Sequence, residues 1–489
     1  MNLNSIKSLI VVLVIAIAVF QLARPACLRF MAAEDFRTRR TAWFILTVAT
    51  FISPSIWIYA LIAVSVSIWA GRRDSNPVAM YLMLMYAAPA FLARIPKVID
   101  FDQQRLLAIA ILIPALLRRQ PASSQAAQSG SRGGGIAAFL LFSFCTIQPM
   151  LFVPFETWTS VLRRELMLLL TIMVPYLAFS RIRDCRLIPD AMATYLLSVV
   201  IMAPLALFET MRGWQLYVLR ADAWGVGVNP FGYLMRGSQL RALVATSHSL
   251  SLGIVFAIAF GFSLYLMRTW KAGWTAVWVY SLLWVGLFAA YARSGWIAAV
   301  LAMFVYLWLL PGGAGRVTKA ATLMLLGGAI SLLTPFGRRI FDSLPFVGTV
   351  DTGSVDYRQQ LFQESLRLIP DHPWFGDLLV KQKMTALYQG QGIVDLVNGY
   401  LQIALLYGLV PLAAVVLFML IVAGRTLRAS MRTRPYDESA ARLGNILVAC
   451  MLGTYFFIWT AGFPDQLWIL AGLGMAYARL VASGAYRVS

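Results

Sequence analysis

Charge is scarce in this sequence: only 13% of its 489 residues are charged, about half the share usual in a water-soluble domain. That excludes an ordinary soluble fold. Histidine is almost missing, with only His248 and His372 in the chain, so a two-histidine metal site would have to join two distant segments. The four cysteines, Cys27, Cys145, Cys185 and Cys450, are far apart and form no C-x-x-C pair. They imply neither a disulfide framework nor a zinc site. No cluster of histidines with carboxylates points to a divalent cation. Acidic residues number 21 against 41 lysines and arginines. The resulting net charge of +20 could suit nucleic acid, but the basic residues sit in short segments between apolar runs and build no basic stripe. Nucleic acid is therefore not an expected partner, whereas anionic membrane lipids are.

What the sequence has in abundance is apolar surface, at 60% of residues. Runs such as LIVVLVIAIAVF (9–20) and LVPLAAVVLFMLIVAG (409–424) recur from end to end, long enough to cross a hydrocarbon core. They fall near 5–22, 41–70, 77–94, 104–117, 136–155, 164–180, 190–208, 242–267, 272–291, 294–311, 318–335, 398–423, 442–463 and 465–482. Residues 1–489 are thus expected to form a single transmembrane domain, an all-α polytopic integral membrane protein with roughly 12–15 transmembrane helices. The run 41–70 is too long for one perpendicular span, and Pro54 in its middle predicts two shorter helices. The first run lacks a small-residue cleavage site and reads as a retained helix.

The segments RRQPASSQAAQSGSRGGG (118–135), RIRDCR (181–186) and RTLRASMRTRPYDESAARLG (425–444) are short, polar and arginine-rich, which assigns them to the cytoplasm. Alternating spans then place 209–241 and 336–397 on the periplasmic side and the C-terminus in the cytoplasm. The orientation of the first helix depends on whether 41–70 is one span or two. The length of 336–397 far exceeds an ordinary connection, and the outer side also holds many cations that orientation alone would not place there. Some of these arginines are expected to snorkel at the interface.

Four clusters on that side could carry chemistry. In the long loop, YRQQLFQESLRLI (357–369) reads as an amphipathic helix stopped by Pro370, with Asp356 and Gln359 spaced as a capping-box variant. Arg358 then shares a face with Phe362, Ser365 and Ile369, turned toward the protein or the bilayer, where it needs an anionic partner such as a carboxylate or a phosphate. DHPWFGD (371–377) follows as a compact turn carrying His372. A polar stretch with Gly390 and Gly392, expected to let the loop move as a lid, leads into IVDLVNGYLQIALLYGLV (393–410). There Asp395, Asn398 and Gln402 recur at i, i+3 and i+7, a polar stripe at the outer mouth of a transmembrane helix, with Tyr400 among them. The plainer role for Asp395 is to cap that helix. MRGSQLRA (235–242) supplies Arg236 and Arg241, and YARSGW (291–296) sets Arg293 in a tight turn between two apolar runs. Arginines gathered at one membrane face suit a pyrophosphate, because the guanidinium fork binds phosphate oxygens two at a time. His248, in ATSHSLSLG, reads as a hydrogen-bonded packing residue.

Three of these elements, in this order, resemble the O-antigen ligase and Wzy-type polymerase superfamily, including bacterial exopolysaccharide polymerases. They are RSGWIAAVLAMFVYLWL (293–309), the R-x-x-L-F-Q-E-S-L-R-L-I-P-D-H-P-W-F-G segment from Arg358, and NGYLQIALLYGL (398–409). The resemblance is specific over about 290–420 and otherwise rests on hydropathy and spacing. It implies a bacterial inner-membrane enzyme that needs no cofactor or metal and transfers glycan from an undecaprenyl-pyrophosphate-linked oligosaccharide on the periplasmic face. Chain-length regulator and export proteins are the partners it suggests. Arg293 and Arg358 match the family's pyrophosphate-binding pattern, and Arg236 and Arg241 compete for a third place in it. Many members carry histidine where this chain has Val397. Asp395 or His372 then supplies the base, or the chemistry needs no strong base, and Asn398, Gln402 and Tyr400 are the expected sugar-binding residues. A polymerase of lipid-linked repeat units, a ligase using the same donor and a lipid-linked glycan flippase are the alternatives. The flippase would call for ionisable residues near the bilayer midplane and for paired repeats.

Overall fold

The computed structural model describes residues 3–89, 93–95, 99–118, 131–226, 235–236, 239–246, 248–270, 273–342, 353–388 and 394–484. Gly390 and Gly392, the expected lid hinges, lie outside these residues. The described chain is helical apart from two short antiparallel hairpins, Ala93–Ile95 with Ile99–Phe101 and Met235–Arg236 with Gln239–Leu240. Five helices are long and apolar enough to cross a membrane: Leu3–Cys27, Leu187–Arg212, Ser249–Arg268, Leu409–Thr433 and Glu438–Thr460. Shorter apolar helices stand among them, including Gly273–Ala289, Arg293–Leu309 and Gln466–Ala482.

Proline punctuates the bundle as its chemistry requires. Helices Ala33–Ile52 and Ile56–Arg73 are separated at Ser53–Pro54, which bears out the split of the long run. Two other helices keep going past proline by inserting a π-helical turn, Ala108–Leu112 ahead of Pro114 and Leu169–Met173 ahead of Pro175. The wider turn accommodates a residue that can donate no backbone hydrogen bond. The apolar run 77–94 has another explanation than a span. It yields only the eight-residue helix Pro77–Leu84, with Val78 to Leu84 all buried against protein. By contrast, Gly313–Ser331 has no buried residue and turns Leu325 and Ile330 outward, as an edge helix facing lipid would.

One buried ionic group ties the inner part of the bundle together. The Arg39 guanidinium reaches Asp74 at 2.7 and 2.8 Å, bonds both oxygens of Asp190, one of them at 2.9 Å, and donates to Thr194 at 2.7 Å. Asn76 donates to Asp190 at 2.8 Å. Helix Ala33–Ile52, the end of Ile56–Arg73 and the start of Leu187–Arg212 are thereby locked together. Cys27, at the end of the first helix, feels the charges of Arg39 and Asp190, so that helix runs toward this end of the molecule. The segments 181–186 and 425–444 meet at the same end, around one cavity.

At the other end, the long loop region is packed rather than strung out. Leu361, Val380, Met384, Leu387, Val394, Leu396 and Leu405 form a small core of their own. The run 398–423 is not one helix, as its hydropathy suggests: Gly399–Tyr407 is a separate short helix, and the span proper is Leu409–Thr433. Gly408, at φ +88°, makes the break. The DHPWFG turn fills it, since Leu409 N donates to Pro373 O at 2.8 Å, Val410 N to Trp374 O at 3.2 Å and Asp377 N to Leu405 O at 2.8 Å. A Cβ on Gly408 would lie 2.2 Å from the Trp374 carbonyl oxygen, so only glycine fits the contact.

Candidate active site

Arg293 is the first residue of helix Arg293–Leu309 and is half-buried. The RSGW sequence builds this corner residue by residue. Tyr291 takes a positive φ of 46° to turn the chain between two apolar helices, a conformation that is costly for an aromatic residue. Ala292 offers no side-chain cap, so the positive end of the helix faces the same space as the Arg293 guanidinium. Gly295 lets this helix touch Ser249–Trp270 backbone to backbone, for a Cβ there would come within 2.7 Å of the Gly253 carbonyl carbon. Trp296 fixes the helix rotation by donating to Leu287 O at 2.7 Å. Gly295→Ala is expected to lower stability by about 1–3 kcal/mol, the usual cost of overpacking. A thermal melt of the purified variant measures it, and an unchanged midpoint would show that the two helices can part freely.

The hairpin carrying the other candidate arginines docks on that corner. Ala242 N donates to Ala289 O at 3.1 Å, Arg241 Nε to Ala290 O at 3.5 Å, and the Tyr291 hydroxyl to Gln239. Beneath it, the buried Glu209 carboxylate accepts from the amides of Leu216, Leu243 and Val244, each at 2.9 Å. Arg241 is therefore brought to Arg293. Arg236 belongs to the other strand, where its backbone pairs with Gln239. Arg220, also expected outside, serves the fold instead, its guanidinium bonding Thr50 O at 3.2 Å and also Ser53 O to close the end of helix Ala33–Ile52.

His248 stands near this group and is hydrogen-bonded, as its sequence reading expects. Its Nδ1 accepts from the Leu250 amide at 3.1 Å, which leaves the proton on Nε2. Burial first, and then the Arg241 cation, pull the imidazole below its ordinary range, while the Asp395 carboxylate acts in the opposite direction. The ring is thus neutral near pH 7 and stands within electrostatic reach of both Arg241 and Asp395. One of only two histidines, seven residues after Arg241 at the same helix start, is the signal the sequence offers for it.

The stretch 394–398 is not helical, and this corrects the polar stripe. Helical spacing does not relate Asp395 to Gln402, because the helix begins at Gly399. Nor does Asp395 cap it. Asn398 does, its side-chain oxygen accepting from the amides of Tyr400 and Leu401 at 3.0 and 3.2 Å. The Asp395 backbone is held from both sides by the Tyr357 hydroxyl, which donates to its carbonyl and accepts from its amide, each at 3.0 Å. Its half-buried carboxylate makes no hydrogen bond or ion pair among the described residues. The N-G-Y sequence is otherwise structural. Gly399 N donates to Ala461 O at 2.7 Å, and the Tyr400 hydroxyl to Tyr455 O at 2.9 Å. Gln402 is half-buried on the same short helix.

Helix Gly353–Leu368 begins three residues before Asp356, so Asp356 lies in its first turn and is not its cap. Leu361 and Ser365 are buried, whereas Arg358, on the same face as Ser365 but two turns earlier, is exposed and not turned toward the protein. It stands next to Tyr357, which locks the helix to Asp395. His372 is exposed in the clamped turn. Within its electrostatic reach is Asp377, whose burial would raise it but which Lys383, 2.6 Å away, holds below the usual carboxylate range. No described interaction links His372 with Asp395, Arg241 or Arg293.

The architecture and this corner define a multi-pass membrane protein with cations, and a carboxylate that is unengaged among the described residues, at one end of the bundle. Residues 278–416 match the Wzy_C family, described as O-Antigen ligase. The family's chemistry is lipid-linked glycan transfer of the ligase or polymerase type. Arg293, Arg358, His372 and Asp395 lie inside the matched stretch, while Arg241 and His248 precede it. No curated protein matches the chain significantly.

Proposed function

We propose that the protein is an inner-membrane glycosyl-transferring polymerase that joins undecaprenyl-pyrophosphate-linked repeat units into exopolysaccharide at the periplasmic face. The observation that carries this reading is the docking of Arg241 on the Arg293 turn, with His248 within electrostatic reach of both Arg241 and the Asp395 carboxylate, which has no hydrogen bond or ion pair among the described residues. In the reaction, an acceptor hydroxyl attacks the anomeric carbon of the donor sugar. The bond from that carbon to the pyrophosphate oxygen breaks, and the hydroxyl proton passes to Asp395. The leaving pyrophosphate gains charge, which Arg293, Arg241 and the uncapped helix start stabilise, with Arg358 closing the outer side. Neutral His248 donates a hydrogen bond from Nε2 to an oxygen of the substrate. Gln402 faces the sugars, and Asn398 holds the helix start from which Gln402 projects.

Arg293→Lys and Arg241→Lys keep the charge but lose the planar fork. Each is expected to lower transfer by about ten- to a hundredfold at normal protein levels. Full polymer yield from both would remove the pyrophosphate assignment. Description of the matched domain as a ligase keeps a second product in view: transfer of a finished glycan to another acceptor. Deleting the gene separates the two. A polymerase leaves single lipid-linked repeats, whereas a ligase leaves long chains still on the lipid carrier.

A further inference from the structure

The opposite end of the bundle holds a cavity of about 830 Å³ that the proposed reaction does not use. Arg181 and Arg183 enter it from the short loop after helix Val174–Ser180, Arg425, Arg428 and Arg432 from the end of Leu409–Thr433, and Arg479 from Gln466–Ala482. Among the described residues one carboxylate lines it, Asp437, and that side chain is already engaged as a helix cap, accepting from Ala440 N at 2.9 Å. Arg479 donates to Ile182 O. The side chains of the other five arginines make no hydrogen bond or ion pair among the described residues. Like charges gathered around a recess repel one another unless an anion occupies it. Beside the polar side chains of Ser180, Thr433 and Tyr436, the lining carries an apolar patch of Ala138, Leu177, Met475 and Val481.

We infer that this cavity binds an anionic membrane lipid, its phosphate held by the arginine mouth and its acyl chains laid along the apolar patch. Guanidinium groups engage phosphate oxygens in pairs, and basic pockets between transmembrane helices on the cytoplasmic side suit such headgroups. Orientation alone would scatter arginines over the cytoplasmic surface. It would not gather six of them around one recess that also carries an apolar patch.

The test uses the purified full-length protein in detergent, with phosphatidylglycerol, phosphatidylethanolamine and inorganic pyrophosphate as probes and native mass spectrometry as the readout. Phosphatidylglycerol is expected to be retained and phosphatidylethanolamine lost. The triple change Arg425→Gln, Arg428→Gln, Arg432→Gln should weaken phosphatidylglycerol binding on the order of 10²-fold. A matched triple change outside the cavity, Arg37→Gln, Arg72→Gln, Arg73→Gln, should leave it nearly unchanged. Equal losses in the two triples would mean general surface charge and overturn the site. Ala138→Trp separates the sources of phosphate by filling the apolar patch without touching a charge: it should expel the lipid and spare pyrophosphate. If pyrophosphate displaces phosphatidylglycerol and Ala138→Trp affects neither, the ligand is a soluble phosphate and the lipid assignment fails. Should the cavity triple not fold, Ala138→Trp alone still decides.

Discussion

Asp395→Asn is expected to lower glycan transfer by about 10²- to 10⁴-fold, the range typical of losing a general base, while the protein inserts and melts as the wild type does. A carboxylate at the start of a helix is ordinarily explained as a cap, and asparagine caps about as well as aspartate. That explanation is closed here, because Asn398 bonds the free amides of the helix start. What Asp395 contributes to the fold comes from its backbone, clasped by the Tyr357 hydroxyl, and asparagine keeps that backbone. The substitution therefore removes a proton acceptor and little else. His248 does not replace it, since its Nδ1 lone pair is already used by the Leu250 amide and its Nε2 carries the proton. Turnover of a purified lipid-linked donor, measured beside a melting curve, decides the matter. Near-normal turnover would shift attention to His372, for which His372→Ala is the next variant.

The second large effect is on stability. Arg39→Met should destabilise the protein by about 3–5 kcal/mol, because it leaves two carboxylates buried without their shared cation. Asp74 and Asp190 have no route to water at this depth: Asp190 is 3% exposed and Asp74 4%. Their remaining partners, such as Asn76, supply hydrogen bonds but no positive charge. The triple change Arg39→Met, Asp74→Asn, Asp190→Asn should recover much of the loss, since it removes the uncompensated charge along with the cation. Unfolding in detergent measures both variants. A mild effect from Arg39→Met alone would mean that water or a proton reaches the pair.

Much of the architecture can be read from hydropathy, because the lipid-crossing requirement writes itself into long apolar runs. The break at Ser53–Pro54 is legible for the same reason that proline is disruptive anywhere in a helix. The run 77–94 misleads because burial in protein and burial in lipid select the same residues. The candidate site is legible one segment at a time. Arg293 and Asp395 stand out by chemistry, but nothing in the order of residues says that the 241–248 stretch folds back onto the 289–293 turn. Periodicity fails at Asp395 through a boundary: a helix pattern counted from 395 is meaningless when the helix starts at Gly399. At Arg358 periodicity gives the row, which the buried Ser365 shares, but not the exposure, because Arg358 stands two turns nearer the helix start. His248 is inconspicuous in the sequence because the groups it faces, Arg241 and Asp395, come from separate loops.

The contact between Gly253 and Gly295 has a consequence for how such an enzyme could change its substrate. Each glycine lies shortly after a residue of the site, Gly253 after His248 and Gly295 after Arg293, and the two backbones touch with no side chain between them. The span from imidazole to guanidinium is therefore set like a fixed jaw, with nothing in the joint that substitution could shorten. Room for a bulkier substrate has to come from elsewhere, from residues 353–388 and 394–398, where the Tyr357 hydroxyl holds the Asp395 backbone. Variation in sugar size among proteins of this architecture should accordingly be written in that loop, while the helix crossing stays the same.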